Sequence, residues 1–346
     1  MFENFHGNSA IAHVLFGMAR QGRIPQTILL DGAEGVGKAT LARRFAATLL
    51  GDAGKIEQDD LSLEHNTEII ADREKWPADK RNDDPLLFAT HPDFITFAPD
   101  GPLRQITIEQ MRLLKERAQF KPLHGNRRVF LIDHIDRANE QAANSLLKTL
   151  EEPPEHLIVI MTAENSYDLL TTIRSRSVPF QLAPLSNDEM RALVRERALS
   201  DPERRIALAG GSPGLAVSLD LETYDQRRAA MLDLLKVASG RSGFADWARH
   251  SENLGARKQD RLDLLLKVLY ILLEDILLLA HGVAEIRNAD IRAELQAIAS
   301  KVSFGWIRAG VKRIDELAEL VRRNIQKSIA LDALVLELRR TARSEP

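Results

Sequence analysis

A glycine-rich segment carries the clearest chemistry in this sequence. Residues 31–40 read DGAEGVGKAT, between an apolar run at 27–30 and an amphipathic run from residue 41. This pattern predicts a strand, a loop and a helix, in which the backbone N–H groups converge on a phosphate at the helix N-terminus. The predicted nucleotide contacts in this loop are Gly32, Gly35, Gly37 and Lys38. A purely structural turn is the alternative interpretation.

The residue after the lysine departs from the usual phosphate-loop pattern. A Ser or Thr normally stands there and holds Mg²⁺, whereas this chain has Ala39 and places Thr40 one residue late. Thr40 therefore carries the hydroxyl that this loop could provide to Mg²⁺. We expect ATP as the candidate ligand, with Mg²⁺ bound only together with ATP. The loop is expected to support ATP hydrolysis poorly.

A second element of a nucleotide site follows further along the chain. Residues 128–132 form a mostly apolar run that ends before Asp133, as in a buried parallel strand with an acid at its carboxyl end. Phosphate-loop proteins keep a metal-side aspartate at this place. His134 stands where motor ATPases commonly have a glutamate, and a neutral imidazole is a poor substitute for that carboxylate. The alternative is that Asp133 only caps the next turn.

Two further blocks complete a recognisable pattern. Residues 144–156 read NSLLKTLEEPPEH and residues 172–177 read TIRSRS, with an apolar strand at 157–162 between them. With the glycine-rich loop, these blocks resemble the AAA+ subunits of bacterial DNA polymerase III clamp loaders. The resemblance runs from about Phe2 to Leu185 and is greatest to the delta-prime type of subunit. Taken alone, the first block is explained by an amphipathic helix stopped by prolines.

The resemblance implies a role for Arg176. In clamp loaders a Ser-Arg-Cys element presents an arginine to the ATP of the neighbouring subunit, where it stabilises charge on the γ-phosphate. This chain has Ser175, Arg176 and Ser177 there, so the arginine is kept and the cysteine is not. We predict that Arg176 acts as an arginine finger in trans. Arg174 is a rival candidate, and a solvated surface arginine is the structural alternative.

A third departure from an active site lies in the predicted lid. Residues 210–216 read GGSPGLA and fall where the resemblance places a motif whose arginine senses bound phosphate. Neither Gly214 nor Leu215 can replace that arginine. Three catalytic positions are thus degenerate while Arg176 is kept, as expected of a subunit that serves a neighbour's active site. We therefore expect no intrinsic ATPase activity from this part of a DNA-directed DNA polymerase holoenzyme.

Helical periodicity and the resemblance together predict three domains. A P-loop AAA+ α/β core with a parallel sheet flanked by helices would occupy residues 1–185, a small helical lid 186–224 and an all-α collar 225–346. In the family the collar joins the subunits in a ring, and an all-helical regulatory bundle is the alternative. The predicted C-terminal helices are Arg227–Ala238, Lys258–His281, Ile286–Ser300, Gly305–Arg323 and Ser328–Arg340.

The stretch at about 51–86 has a different composition from the rest of the core. Residues 52–84 hold 11 acids and 5 Lys or Arg, with few large apolar residues and with Pro77 and Pro85 as breakers. This composition predicts a disordered or variable insertion, and an ordered polar appendage is the alternative. It stands where many relatives carry a four-cysteine zinc module.

Composition limits the other classes of function. The chain has no cysteine and nine scattered histidines, so we expect no zinc and no other metal site. A net charge of −3 and 5% aromatic residues give no global basic footprint, although Lys121, Arg127 and Arg128 form a local basic patch. We find no secretory signal, and polar residues within 262–281 favour a soluble packed helix over a membrane span. A cytoplasmic location is expected.

The resemblance implies a set of partners. We expect a delta-prime-like stator that assembles with the gamma/tau motor subunits and the delta subunit, loads the sliding clamp and meets primed DNA only indirectly. An active AAA+ ATPase, either a motor subunit or a DNA-remodelling enzyme, is the alternative, and it would need Thr40 to supply the missing metal ligand. A small-molecule phosphotransferase is disfavoured because nothing after the loop resembles an acceptor site.

Overall fold

The computed structural model describes residues 5–245, 247–248, 261–321 and 326–344. The chain divides into two compact units. The first comprises Met1–Pro202 and Ala209–Val217, and the second comprises Glu203–Leu208 and Ser218–Pro346.

A parallel sheet of five strands forms the centre of the first unit, in the order β2-β3-β4-β1-β5. The strands are β1 (Thr27–Asp31), β2 (Phe94–Phe97), β3 (Arg128–Ile132), β4 (Leu157–Ala163) and β5 (Val178–Gln181). The predicted α/β class is therefore confirmed, with the phosphate-loop strand β1 paired to β4. The carboxyl ends of parallel strands meet at one edge, which is where ligands bind in open α/β sheets.

The apolar side chains of four of the five strands explain why these strands are buried in the core. β1, β2, β3 and β4 are buried along their whole length, as expected for strands covered on both faces. The strand β5 is largely exposed and contains Pro179, which cannot donate to a ladder and is tolerated at an edge.

Helices cover both faces of the sheet. Two apolar clusters, one centred on Phe45 and Leu41 and the other on Phe97 and Leu146, contain most of the buried side chains of the core. The helices of the core are α1 (Ser9–Gln21), α2 (Lys38–Leu50), α3 (Ala53–Glu57), α4 (Glu64–Arg73), α5 (Ala78–Asp83), α6 (Ile108–Ala118), α7 (Glu140–Glu151) and α8 (Thr171–Arg174).

The acidic insertion is an ordered helical appendage, formed by α3, α4 and α5. Two acids of the insertion pair with a buried arginine of α2: Arg43 contacts Glu57 at 3.0 Å and also pairs with Asp60. Arg73 makes a bidentate pair with the buried Asp100, at 3.0 and 2.7 Å. Such pairs are well defined because guanidinium and carboxylate match in shape. Of the two alternatives left by composition, the ordered one is therefore correct.

Short helices follow the core. The helix α9 (Asn187–Glu196) begins with a capping box, in which Ser186 and Glu189 satisfy each other's backbone N–H groups. α10 (Pro202–Ala209) and α11 (Pro213–Ser218) come next in the chain. The buried side chains of α9, which include Met190 and Val194, belong to the first unit.

The second unit is helical. Its helices are α12 (Leu221–Ala238), α13 (Leu262–Ala280), α14 (Arg292–Ala299), α15 (Phe304–Val321) and α16 (Lys327–Ser344). They match the predicted segments closely, with two exceptions: α12 begins at Leu221, six residues before its predicted start, and 286–291 precedes α14 as a loop and a 3-10 turn. Residues 258–260 and 322–323 of the predicted helices lie outside the described part of the chain. One apolar cluster joins all five helices.

The apolar helix α13 contains a buried acid. Asp275, one of the polar residues within 262–281, is fully buried. Its carboxylate accepts hydrogen bonds from the backbone N–H groups of Arg287 and Asn288 and from Asn288 Nδ2, at 2.8 to 3.0 Å. Three donors compensate the buried charge. Among the described helices, none combines the length and apolar character that a bilayer crossing requires.

Candidate nucleotide site

The glycine-rich loop connects β1 to α2, as its pattern predicts. Gly35 and Gly37 have backbone φ values of 74° and 100°, which residues other than glycine rarely adopt. Lys38 is the first residue of α2, so its side chain starts from the positive end of that helix. Gly32 has positive φ as well and begins the loop directly after β1.

Lys38 is buried and turned back onto its own loop. Its Nζ donates hydrogen bonds to the carbonyl oxygens of Gly32 at 2.6 Å and Ala33 at 2.8 Å. Burial lowers the pKa of Lys38, while the acids around it, Glu164 and Asp133 foremost, oppose this shift. The ammonium is thus held by groups of the chain itself.

The segment at 212–215 contacts the glycine-rich loop directly. Ser212 Oγ donates to the carbonyl oxygen of Glu34 at 2.8 Å, and the Gly214 N–H donates to that of Gly35 at 2.8 Å. A Cβ built on Gly35 would lie 2.3 Å from Ser212 Oγ, so no side chain fits there. The sequence singled out this segment for a missing arginine, but gave no sign that Ser212 would bond to the loop.

Asp133 lies at the carboxyl end of β3, as predicted. It accepts a hydrogen bond from Thr162 Oγ1 at 2.5 Å, and Thr162 Oγ1 in turn accepts one from the His134 N–H at 2.8 Å. Thr162 stands near the end of β4, so the two adjacent strands fix each other's ends. Ala39 and Thr40 follow Lys38 in the first turn of α2, and Ala39 carries no group that could bind a metal.

A cluster that sequence spacing did not reveal lies at the same sheet edge. His134, Asp136 and Glu164 bring one nitrogen and two carboxylates together, with their ligand atoms within 4.8 Å of one another. His134 has a left-handed backbone, with φ of 55°. The residues come from the segments after β3 and β4, which are far apart in sequence, and only the strand order makes them neighbours.

Arg176 follows α8 on the surface of the first unit. Its guanidinium donates to the carbonyl oxygen of Thr172 at 3.0 Å and pairs with Glu151 at 2.8 Å. Glu151 belongs to the LLKTLEEPP block, so this block and the TIRSRS block are in direct contact. The guanidinium of Arg174 lies over the ring of Tyr167 at 4.6 Å. Arg176 lies apart from the glycine-rich loop contacts described above.

Comparison with known proteins places these features in a family. Residues 80–186 match the family model "DNA polymerase III, delta subunit", and residues 223–340 match "DNA polymerase III, delta subunit, C terminal".

Three curated relatives have similar sequence identity to this chain. The chain is 31% identical over 225 residues to DNA polymerase III subunit delta' of Escherichia coli, covering 64% of this chain and 65% of that protein. It is 30% identical over 220 residues to the delta' subunit of Pseudomonas aeruginosa, covering 60% of each. It is 29% identical over 210 residues to the tau subunit of Escherichia coli, covering 58% of this chain and 30% of tau. The chain thus spans less than two thirds of the delta' relatives that it matches.

A solved structure gives a weaker similarity. A DNA polymerase III gamma subunit-related protein of Thermotoga maritima aligns over 95% of this chain and 99% of that one, with 18% identity and a TM-score of 0.45. That score is too low to support an argument, so the assignment rests on the family models and the curated relatives. The chain belongs to the DNA polymerase III delta-prime subunit family.

Proposed function

We propose that this chain is a stator subunit of a clamp loader: it holds a degenerate nucleotide site of its own and offers Arg176 to the ATP site of a neighbouring motor subunit. The observation that carries this proposal is the state of the glycine-rich loop. Lys38 is hydrogen-bonded to Gly32 and Ala33, and two loop carbonyls accept from Ser212 and Gly214. The Lys38 ammonium, the side-chain donor that would bind phosphate, is therefore engaged within the chain.

The fold family implies ATP and Mg²⁺, and the residues of this chain fit them poorly. Ala39 cannot ligate Mg²⁺, and His134 cannot polarise water as a carboxylate does. A phosphate group would also compete with the two short hydrogen bonds that the Lys38 ammonium already donates to carbonyl oxygens. Because of this misfit, we assign no chemical step to ATP within this chain.

Arg176 is suited to the proposed role in trans. It lies on the surface, where it is held by an exposed ion pair with Glu151, the carbonyl oxygen of Thr172 and a long hydrogen bond to Ser175 Oγ at 3.4 Å. Exposed pairs of this kind stabilise a structure by about 0–1 kcal/mol, so little free energy opposes its transfer to a new partner. A γ-phosphate that carries developing charge is a stronger partner for a guanidinium than an exposed carboxylate.

The proposed partners follow from the family. We propose assembly with gamma/tau motor subunits and a delta subunit, through the helical unit as collar, and action on the sliding clamp at primed DNA. The proposed place of action is the cytoplasm. The helical unit supports the collar role with its own apolar core. We propose limits of 1–185, 186–224 and 225–346 for core, lid and collar, and α12 crosses the last of these limits.

A reconstitution experiment tests this function. Motor subunits and delta are mixed with or without the full chain, the complex is isolated by gel filtration, and clamp loading onto primed DNA is measured. We expect the chain to co-purify in defined amount and clamp loading to depend on it. Full clamp loading without the chain, or a chain that stays separate, would contradict the stator role.

A further inference from the structure

The carboxyl edge of the sheet holds a set of donors that neither the stator role nor the nucleotide loop uses. His134 and Asp136 follow β3, and Glu164 follows β4. His134 Nδ1 and a Glu164 carboxylate oxygen are 3.8 Å apart, and all three ligand atoms lie within 4.8 Å of one another. A hydrogen bond between the His134 N–H and Thr162 Oγ1 fixes the backbone from which the imidazole projects.

Two of these donor atoms lack a partner although they are shielded from solvent. Within the described part of the chain, His134 Nδ1 and Asp136 Oδ1 have no hydrogen-bond partner. Shielded polar atoms without a partner are uncommon in native proteins, and an unseen ion is one of the explanations for them. Both atoms belong to the same three-residue cluster, so one ligand would satisfy both.

The donor set defines the kind of ion. Imidazole nitrogen favours zinc and other first-row transition metals over magnesium, and carboxylates bind zinc as well as manganese. Tetrahedral ligands at about 2.0–2.1 Å from zinc lie roughly 3.4 Å apart, so the three side chains need only small rotations. Three protein ligands would leave one position open, as in zinc sites that keep a water.

Two cations compete for the same acids. Arg137 Nη2 is 3.4 Å from Glu164 Oε1, and the Lys38 ammonium is close enough to Glu164 to feel its charge. Glu164 Oε1 is the oxygen that lies 3.8 Å from His134 Nδ1, so Arg137 competes directly with a metal for it. The competing charges weaken binding but do not remove any ligand.

We propose that His134, Asp136 and Glu164 form a binding site for a divalent transition-metal ion, zinc by preference, beside the glycine-rich loop. The site is distinct from the Mg²⁺ that accompanies a nucleotide because it does not use Asp133 or a loop hydroxyl. It stands independently of the stator role, since its ligands lie within one subunit.

Calorimetric titration of the untagged full chain with Zn²⁺, after chelator treatment, tests the site. The absence of cysteine removes thiolate binding from the background. We expect one tight zinc ion per chain and a rise in melting temperature with zinc but not with equal Mg²⁺. His134→Ala and the near-isosteric Asp136→Asn should each weaken binding by more than about 10-fold, since loss of even outer-shell partners costs 10–100-fold.

His65→Ala is the matched control, because His65 is an exposed histidine of α4, and it should bind zinc as the wild type does. Arg137→Gln removes a competing charge and should raise the affinity. Circular dichroism verifies that each variant is folded. No zinc binding by the wild type, or equal binding by wild type and a folded Asp136→Asn variant, would overturn the proposal. A fall in affinity for Arg137→Gln would also contradict it.

Discussion

The glycine-rich loop and the Arg176 loop differ in where their polar groups are used. In the first, the Lys38 ammonium and the carbonyls of Glu34 and Gly35 bond to groups of the same chain. In the second, Arg176 is on the surface and is held by one exposed carboxylate, one carbonyl and the Ser175 hydroxyl. The Lys38 ammonium is thus held within the chain, while the guanidinium that we propose to act on a neighbour is on the surface.

In the proposed function, one part of an ATPase site is lost while another is kept. A phosphate loop needs free donors, so the two hydrogen bonds that the Lys38 ammonium donates within the chain reduce what the loop can offer to a ligand. An arginine finger needs only a mobile guanidinium on a fixed backbone, and the hydrogen-bonded turn at 172–177 provides that backbone. The two functions depend on different physical conditions and can therefore separate.

The largest expected effect is that of Arg176→Ala. We predict a folded chain that enters the complex normally but lowers the ATPase and clamp-loading rate of the assembly. Arginine fingers contribute on the order of 10³-fold at a single site, and the observed loss is smaller because other motor sites continue to work. Steady-state ATP hydrolysis of the purified complex measures it.

Arg174→Ala is the matched control for this variant, because it removes a neighbouring positive charge that stacks on Tyr167. It should retain nearly the whole rate. Equal rates for wild type and Arg176→Ala, in complexes shown to be intact, would reduce Arg176 to a surface residue.

A second variant tests how closely the lid segment contacts the loop. Gly35→Ala combines a positive φ with a Cβ that would lie 2.3 Å from Ser212 Oγ. We expect a loss of about 2–3 kcal/mol in the free energy of unfolding of the first unit, from backbone strain and the forced shift together. Denaturant unfolding of the isolated chain measures it.

Gly22→Ala separates the two causes. Gly22 also has a positive φ, of 68°, but a Cβ there meets nothing within 4 Å. The Gly22→Ala variant should lose about 1 kcal/mol in the free energy of unfolding, from backbone strain alone. If the two variants lose the same free energy, the contact between Ser212 and Gly35 is looser than the structure indicates.

A smaller effect is expected for Ser212→Ala. The variant loses the hydrogen bond to the Glu34 carbonyl, and a buried neutral hydrogen bond contributes about 1 kcal/mol. The double variant with Gly35→Ala should recover part of the stability that Gly35→Ala loses, because the clashing Ser212 Oγ is absent. A double-mutant cycle measures this coupling. Strict additivity would show that the two residues do not touch.

The smallest effect is expected for Glu151→Gln. Glu151 and Arg176 form an exposed pair, with 46% and 33% of their side chains accessible, so stability should change by less than about 1 kcal/mol. The ATPase rate of the assembly should not fall, since the pair restrains the arginine without acting on ATP. A loss as large as that of Arg176→Ala would mean that Glu151 positions the finger.

The sequence predicted the elements whose signals are local and strong. The buried strands β1, β3 and β4 and the long helices α12, α13, α15 and α16 have clear apolar patterns. The short β2 was not foreseen because four residues carry little periodicity, and β5 was missed because it is exposed and contains Pro179. Local pattern was therefore sufficient for the centre of the sheet and insufficient for its edges.

Contacts between distant residues could not be predicted. Ser212 bonds to Glu34 across 178 positions, and Glu164 meets His134 only through the pairing of β3 with β4. The order of the acidic insertion depends on Arg43, which lies outside it, and on the pairing of Arg73 with Asp100. Composition records the charges of such residues but not their partners.

The central claim is that this chain holds a nucleotide site that does not work, and ATP turnover by the isolated protein tests it most directly. We predict hydrolysis at background, unchanged by Mg²⁺ and by Lys38→Ala, because Ala39 provides no metal ligand and His134 no catalytic carboxylate. Weak binding without turnover is compatible with the claim. Steady Mg²⁺-dependent hydrolysis that Lys38→Ala abolishes would contradict it and would identify the chain as an active AAA+ ATPase.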